Sequence, residues 1–162
     1  MAYLLDADTL IRAKNDYYGF DICPGFWEWL KLANGQGKVF MPAAVRTELV
    51  KGNDNLAAWV KALPGSFFIS PSAATTQHFE TVSAWVQAQS FTPAAISDFF
   101  SKADYFLVAQ ARELGYTVVT NETPDANSKK RVKIPTACIG VSASWTNAFG
   151  MLRAEKASFV LP

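Results

Sequence analysis

Charge is scarce in this chain. Asp, Glu, Lys and Arg make up 18% of its 162 residues, against about 25% in an ordinary soluble domain. The signs nearly cancel to a net +1, so no global field selects a nucleic acid or an anionic membrane as partner. Histidine is limited to His78, and cysteine to Cys23 and Cys138. A Cys/His zinc cluster and a disulfide framework are therefore excluded, and two reduced, packed thiols in a cytoplasmic protein are expected. Long apolar runs are missing as well. Residues 134–152 carry no charge, and Glu80 is the only one in 62–97, but Pro, Ser, Thr, Asn or Gln interrupt both stretches. Neither reads as a membrane span. Met1-Ala2-Tyr3-Leu4-Leu5-Asp6 has no basic n-region, so a signal peptide is not expected.

What is present is apolar. Half the residues are hydrophobic and 14% aromatic, enough for the core of one domain spanning residues 1–162. Tyr3 to Ala7 reads as a buried strand, Lys38 to Met41 as a second, and Tyr116 to Thr120 as a clear third. A β-like segment at 66–70 and a last strand at 132–138 complete the set. Helices are expected over 24–34, from Pro42 to about Lys51, after an Asp54 N-cap, and over 73–89, 93–100, 102–114 and 145–156. Strands alternating with helices predict an α/β domain with a mostly parallel central sheet.

On this apolar background the carboxylates need reasons. Asp6 closes the first strand, where parallel sheets place ligands. Asp8 follows two residues later, as a neighbour of the same site or a helix cap. Asp104 shares a helical face with Phe100, Leu107, Val108 and Ala111, where a lone carboxylate costs several kcal/mol unless a cation offsets it. Glu48 lies at the edge of its helix's inner face. Glu122 follows the strand 116–120, with Asp125 three residues on. Gathered at one sheet rim, such acids form a hard oxygen set suited to Mg²⁺ or Mn²⁺, ions that serve phosphodiester cleavage.

The order of motifs resembles the PIN domain, a metal-dependent nuclease family that includes the VapC-like toxins. The matching pieces are Leu4-Leu5-Asp6-Ala7-Asp8-Thr9, Pro42-Ala43-Ala44-Val45-Arg46-Thr47-Glu48-Leu49, Ala103-Asp104-Tyr105-Phe106-Leu107-Val108-Ala109-Gln110-Ala111 and Val118-Val119-Thr120-Asn121-Glu122. Within the family, Tyr17 to Trp27 and Ser128 to Pro135 look most like an uncharacterised PIN-like branch. The resemblance implies a three-layer α/β/α fold and Mg²⁺- or Mn²⁺-dependent ribonuclease activity. It implies Asp6, Glu48 and Asp104 as core acids, with Glu122 at a fourth position where the family more often has Asp. Asp125 is the substitute candidate there. Asp8 falls where the family usually has a small polar residue. A cognate antitoxin and a homodimer are the implied partners.

Lys129, Lys130, Arg131 and Lys133 put four bases within five residues after the fourth acid. They are candidates to meet RNA phosphates, which would make binding salt-dependent. Arg12 and Lys14 are weaker candidates. Tyr17, Tyr18, Phe20, Phe26, Trp27 and Trp29 offer core packing first, base stacking or an interface second. His78, in the charge-poor helix, is expected to be a packed or surface residue. Two rivals remain: a catalytically degenerate PIN-like module that binds RNA or protein, and a haloacid-dehalogenase-like phosphatase. The second would use Asp6 and Asp8 but lacks the later acidic pair, since only Glu155 follows Asp125.

Overall fold

The computed structural model describes all residues 1–162. Five short strands form one parallel sheet: β1 Tyr3–Leu5, β2 Val39–Pro42, β3 Phe68–Ile69, β4 Thr117–Val119 and β5 Trp145–Thr146, in the spatial order β3-β2-β1-β4-β5. Leu4 pairs with Phe40 on one side and Val118 on the other, so β1 is the central strand. From β1 the chain winds outward through β2 and β3, then returns beside β1 as β4 and winds the other way. The gap between the β1 and β4 carboxyl ends is the point where the winding reverses, and open α/β sheets bind ligands there.

Alternation along β1 divides the core. Tyr3 and Leu5 enter an apolar cluster of 22 buried residues, and Leu4 enters one of 14 on the opposite face. The first cluster packs under α1 (Ala7–Arg12), α2 (Pro24–Gly35), α3 (Ala43–Leu49), α4 (Asn55–Lys61) and α9 (Ala148–Ala154). The second packs under α5 (Thr75–Ala88), α6 (Pro93–Ser101), α7 (Ala103–Leu114) and α8 (Ile134–Gly140). Both sheet faces are covered, which explains why β1 and β4 read as continuous apolar runs. The result is the three-layer α/β/α architecture expected, with a fully parallel sheet.

Local chemistry sets the helix ends. Asp54 caps α4 by accepting the Ala57 N–H at 2.9 Å, and Thr92 caps α6 by accepting the Ala95 N–H at 3.2 Å. Gly115 closes α7 at φ +69°, the left-handed conformation that disfavours other residues.

Two expectations fail for identifiable reasons. Residues 132–138 do not form the last strand: Pro135 sits in the first turn of α8, and the edge strand is Trp145–Thr146. Proline cannot donate to a sheet ladder but fits a helix start. Phe100 is not on the helix of Asp104 either. The chain turns extended at Lys102 (φ −107°, ψ 166°), which ends α6 and caps α7. Asp104 thus occupies the first turn of α7, near the start of the expected 102–114 helix, without Phe100 on its face.

The aromatic-rich segment packs mostly inward. Phe26 and Trp27 are buried, Tyr18 stacks on Phe26 at 4.5 Å, and Phe20 stacks on Trp27 at 4.0 Å. Trp27 Nε1 donates to the Tyr18 carbonyl at 2.7 Å, so its polar handle is satisfied. No helix is long and apolar enough to cross a membrane.

A tight approach on the second face is testable. A Cβ at Gly140 would overlap the Trp85 indole. Gly140→Ala should lower stability by about 1–3 kcal/mol, read as a thermal midpoint several degrees lower with an unchanged fold by circular dichroism.

Candidate active site

Each acid reaches the sheet rim by a different element. Asp6 follows β1 and is the N-cap residue of α1, only 5% exposed. Asp8, exposed, lies in the first turn of α1. Glu48 is half-buried near the end of α3. Asp104 is half-buried in the first turn of α7, where the helix dipole favours negative charge. Glu122 follows β4 and is half-buried. Asp6, Asp8, Glu48, Asp104 and Glu122 line one cavity of about 300 Å³, together with Ile11, Lys102 and Arg131. A larger groove of about 830 Å³ lies between α2 and residues 158–162, but its only charged residue is Glu28, and it holds none of these groups.

The carboxylates are unequal. Asp6 is pushed up to about 8, by burial first and then by the negative charge of Asp104, with Glu122 and Asp8 adding to it. Thr120 opposes this shift: its hydroxyl donates to Asp6 Oδ2 at 3.1 Å. Asp104 rises to about 6, again by burial first and then through Glu122 and Glu48, against the pull of Lys102 and Arg131.

The remaining acids have anchoring bonds. Glu48 Oε1 accepts the Ala103 N–H at 2.9 Å and so tethers the start of α7. Glu122 Oε2 meets Arg131 Nη2 at 3.3 Å, and its Oε1 accepts the Ile134 N–H at 3.5 Å, where α8 begins. Glu48 and Glu122 therefore fix the two helices that wall the cavity, besides contributing charge.

A divalent cation fits this donor set by its chemistry. The groups are hard oxygens, without histidine or cysteine in the cavity lining. No group of three or more of these side chains is placed to hold a metal ion by itself. Hard oxygen donors are the kind that Mg²⁺ takes, an ion that usually keeps several waters and binds through one or two carboxylates.

Other candidates fall elsewhere. Asp125 is exposed; its N–H donates to Thr136 Oγ1 and its Oδ1 accepts the Asn127 N–H, both at 3.0 Å. It lines no part of the cavity, whereas Glu122 does. Of the basic run, Arg131 lines the cavity; Lys129 and Lys130 are exposed and Lys133 half-buried, outside the lining. Arg12 pairs with Asp16 at 3.5 Å and lines a neighbouring pocket. Lys14 pairs with Asp54 at 2.7 Å. His78 Nδ1 meets Arg112 Nη1 at 2.7 Å and is no part of the site. Glu155 bonds Lys38 at 2.8 Å and the Tyr3 hydroxyl at 3.2 Å, at the amino end of the sheet. No late acidic pair serves the Asp6 rim, which removes the phosphatase rival.

Two contributors escaped sequence reasoning. Thr120 is fully buried between Asp6 and the Glu122 N–H, which donates to its Oγ1 at 3.2 Å. Its signal was a threonine at a strand's carboxyl end beside an acid. Lys102 lines the cavity from the break between two helices, and nothing in its sequence context marked it as a site residue.

With this geometry in place, comparison with known proteins is informative. A family model described as Domain of unknown function (DUF4411) matches residues 3–159. The chain belongs to this family. DUF4411 carries no activity in its description, and no curated protein matches the sequence. A solved structure similar to this DUF4411 chain is VapBC2 from Rickettsia felis bound to a DNA fragment from their promoter, at 16% identity and a TM-score of 0.57. The likeness covers 91% of this chain and 98% of that one. It shows the fold, a VapC-like PIN fold.

The pKa shifts fix a sign. Asp6 and Asp104 bind protons more tightly folded than unfolded, so their contribution to stability is fully present below the ordinary carboxylate range. It is lost as pH rises through about 6 and about 8. The metal-free protein should melt at a lower temperature at pH 8 than at pH 5, and Asp6→Asn should flatten that slope and raise the pH 8 midpoint by several degrees. A calorimetric pH series checks both.

Proposed function

We propose that this protein is a Mg²⁺- or Mn²⁺-dependent endoribonuclease and the toxin of a toxin–antitoxin pair. The observation that carries the reading is the convergence of Asp6, Asp8, Glu48, Asp104 and Glu122 on one cavity at the sheet's switch point. The order of acidic motifs and the VapC-like fold support it. The Rickettsia felis structure is a VapBC pair on promoter DNA, which supports expecting a cognate antitoxin here; a homodimer is compatible with the same reading.

Asp6 and Asp104 are the residues to hold the cation, with Glu122 and Asp8 beside them. When bound, the ion activates water and offsets charge on the phosphoryl oxygens. Thr120 orients Asp6 through its hydroxyl. Glu48 keeps the Asp104 end of α7 in place by accepting the Ala103 N–H and adds negative charge at the cavity. Because burial and neighbouring acids raise Asp6 to about 8, a cation held there would compete with a proton, and its binding would strengthen as pH rises. Arg131 and Lys102 at the rim meet the RNA phosphates, and Lys129, Lys130 and Lys133 extend that contact along the exposed loop.

One observation favours a second reading, a binding module that does not cut. Both Glu122 oxygens are engaged within the protein, which leaves fewer lone pairs for a cation.

Cleavage of an RNA panel with Mg²⁺, with Mn²⁺ and with chelator separates the two. Wild type should cut only with a divalent ion, and Asp104→Asn should abolish cutting while the protein stays folded. Thr120→Val should weaken Mn²⁺ affinity or activity by about 10–100-fold, as loss of an outer-shell partner does. Unchanged RNA with every ion, and no Mn²⁺ binding by titration calorimetry, would establish the non-cutting module.

A further inference from the structure

Beside the acidic cavity lies a smaller pocket of about 150 Å³, bounded by Thr9, Arg12, Tyr17, Asn121, Asn147 and Phe149 among others. The two hollows share walls. Asp8 and Ile11 of α1 face the acids, and Thr9 and Arg12, each one residue on, face the pocket. Asn121 stands between Thr120, which holds Asp6, and Glu122. A ligand that spans both hollows thus has to pass α1 and residue 121.

The lining is unusual for a structural crevice. Tyr17 is 62% and Phe149 38% exposed, although the rest of the aromatic segment is packed inward. Their rings meet edge-on at 5.5 Å and 67°. Phe149 is steadied from behind by Tyr18 at 6.3 Å and by the Arg153 guanidinium at 6.0 Å, which leaves Tyr17 as the freer ring. Against these aromatics stand polar groups. Asn147 Oδ1 accepts the Gly150 N–H at 2.8 Å as the cap of α9, so its NH₂ remains to donate. Arg12 is tied to Asp16 through Nε at 3.5 Å, which leaves its terminal nitrogens. Asn121 adds a second amide.

We propose that this pocket is a nucleobase subsite, which takes one unstacked base of a single-stranded RNA next to the phosphate held at the acidic cavity. The inference rests on the ribonuclease reading and names how the substrate is chosen. Its volume lies well below the roughly 300–1,000 Å³ of a site for larger ligands, and suits one flat ring system. Splayed-out bases are recognised by stacking on aromatic rings and by hydrogen bonds to their edges. The donor-rich wall of Arg12, Asn147 and Asn121 matches a base edge with adjacent acceptors, and guanine presents two in O6 and N7. Arg12, a weak phosphate candidate by sequence, becomes a base-edge donor.

The test uses the full chain in two parallel measurements. Single-stranded RNAs that differ at one base are cleaved, and 5′-GMP or 5′-CMP is titrated under chelator while the side-chain amide resonances of Asn121 and Asn147 are followed. Cuts should fall at a fixed distance from guanine, and GMP should shift both amides more than CMP does. Asn121→Ala should lower the guanine preference about tenfold or more. Tyr17→Ala should raise KM by roughly five- to a hundredfold with little change in kcat. Tyr17 is exposed enough for its variant to fold, and Asn121→Asp, which keeps shape but loses the donor, backs up the alanine variant. When RNA is cut, base preference decides: cleavage indifferent to both variants overturns the subsite and leaves the nuclease reading standing. When RNA is not cut, the titration decides: amide shifts specific to GMP uphold the subsite although the nuclease reading fails, and unmoved amides overturn it. If Tyr17→Ala alters only self-association or the hold of a protein partner, the rings belong to a protein interface and the proposal falls.

Discussion

Everything at the rim depends on one buried carboxylate. Asp6 ends the central strand, where its own N–H still pairs with the Val119 carbonyl at 3.0 Å. Its side chain lines the cavity at the carboxyl ends of β1 and β4 and is largely shielded from water. Buried charge of this kind is tolerated only when it is paired, coordinated or neutralised. Here the protein supplies one hydroxyl, from Thr120, and surrounds it with further negative charge. The two cations of the cavity lining already have acidic partners: Lys102 pairs with Asp98 at 3.0 Å, outside the cavity, and Arg131 with the site's own Glu122 at 3.3 Å. The site is therefore built with an unmet demand for positive charge, and the two apolar layers supply the stability that holds it together.

Much of this frame was legible in the sequence because it is carried by local signals. The apolar runs of Tyr3–Leu5 and Thr117–Val119 could only be strands buried on both faces. The caps at Asp54 and Thr92, which accept backbone N–H groups three residues on, and the left-handed Gly115 fixed helix ends locally. Where the reading failed, the deciding interaction was distant. Trp145–Thr146 is two residues long and becomes a strand only by pairing with Val118 and Val119. Residues 132–138 look equally apolar as strand or helix, and Pro135 decides for helix. The break near Lys102 was legible as a boundary between the 93–100 and 102–114 helices, and it takes Phe100 off the face that carries Asp104.

The site was legible in the same partial way. Its acids stood out because charge is rare here and each followed a strand or lay against an apolar stripe. Their supports did not, since Thr120 matters through a hydroxyl that reaches Asp6 across 114 residues of sequence. Glu48 shows the same limit. It was legible as an acid, but its bond to the Ala103 N–H depends on where α3 and α7 cross. The pocket of Arg12, Tyr17, Asn121, Asn147 and Phe149 draws on three separate stretches of chain, which only the fold brings together.

Scarcity of charge and concentration of charge are two sides of one design. The net charge is +1, so at a distance the molecule presents little field. Close to the β1–β4 rim the field is strong and layered: carboxylates inside the cavity, with Lys102 and Arg131 at its edge and Lys129, Lys130 and Lys133 on the adjoining loop. Such layering sorts ligands by size and sign. On the proposed function, a small cation would be drawn to the acids within, while a polyanion would meet the basic edge and be repelled by the interior. A bound cation would offset that repulsion and let a phosphate move inward from the edge. Electrostatics alone would thus couple the two ligands in order, without any moving part, and screening by salt would weaken the outer layer before the inner one, because buried charges are screened least.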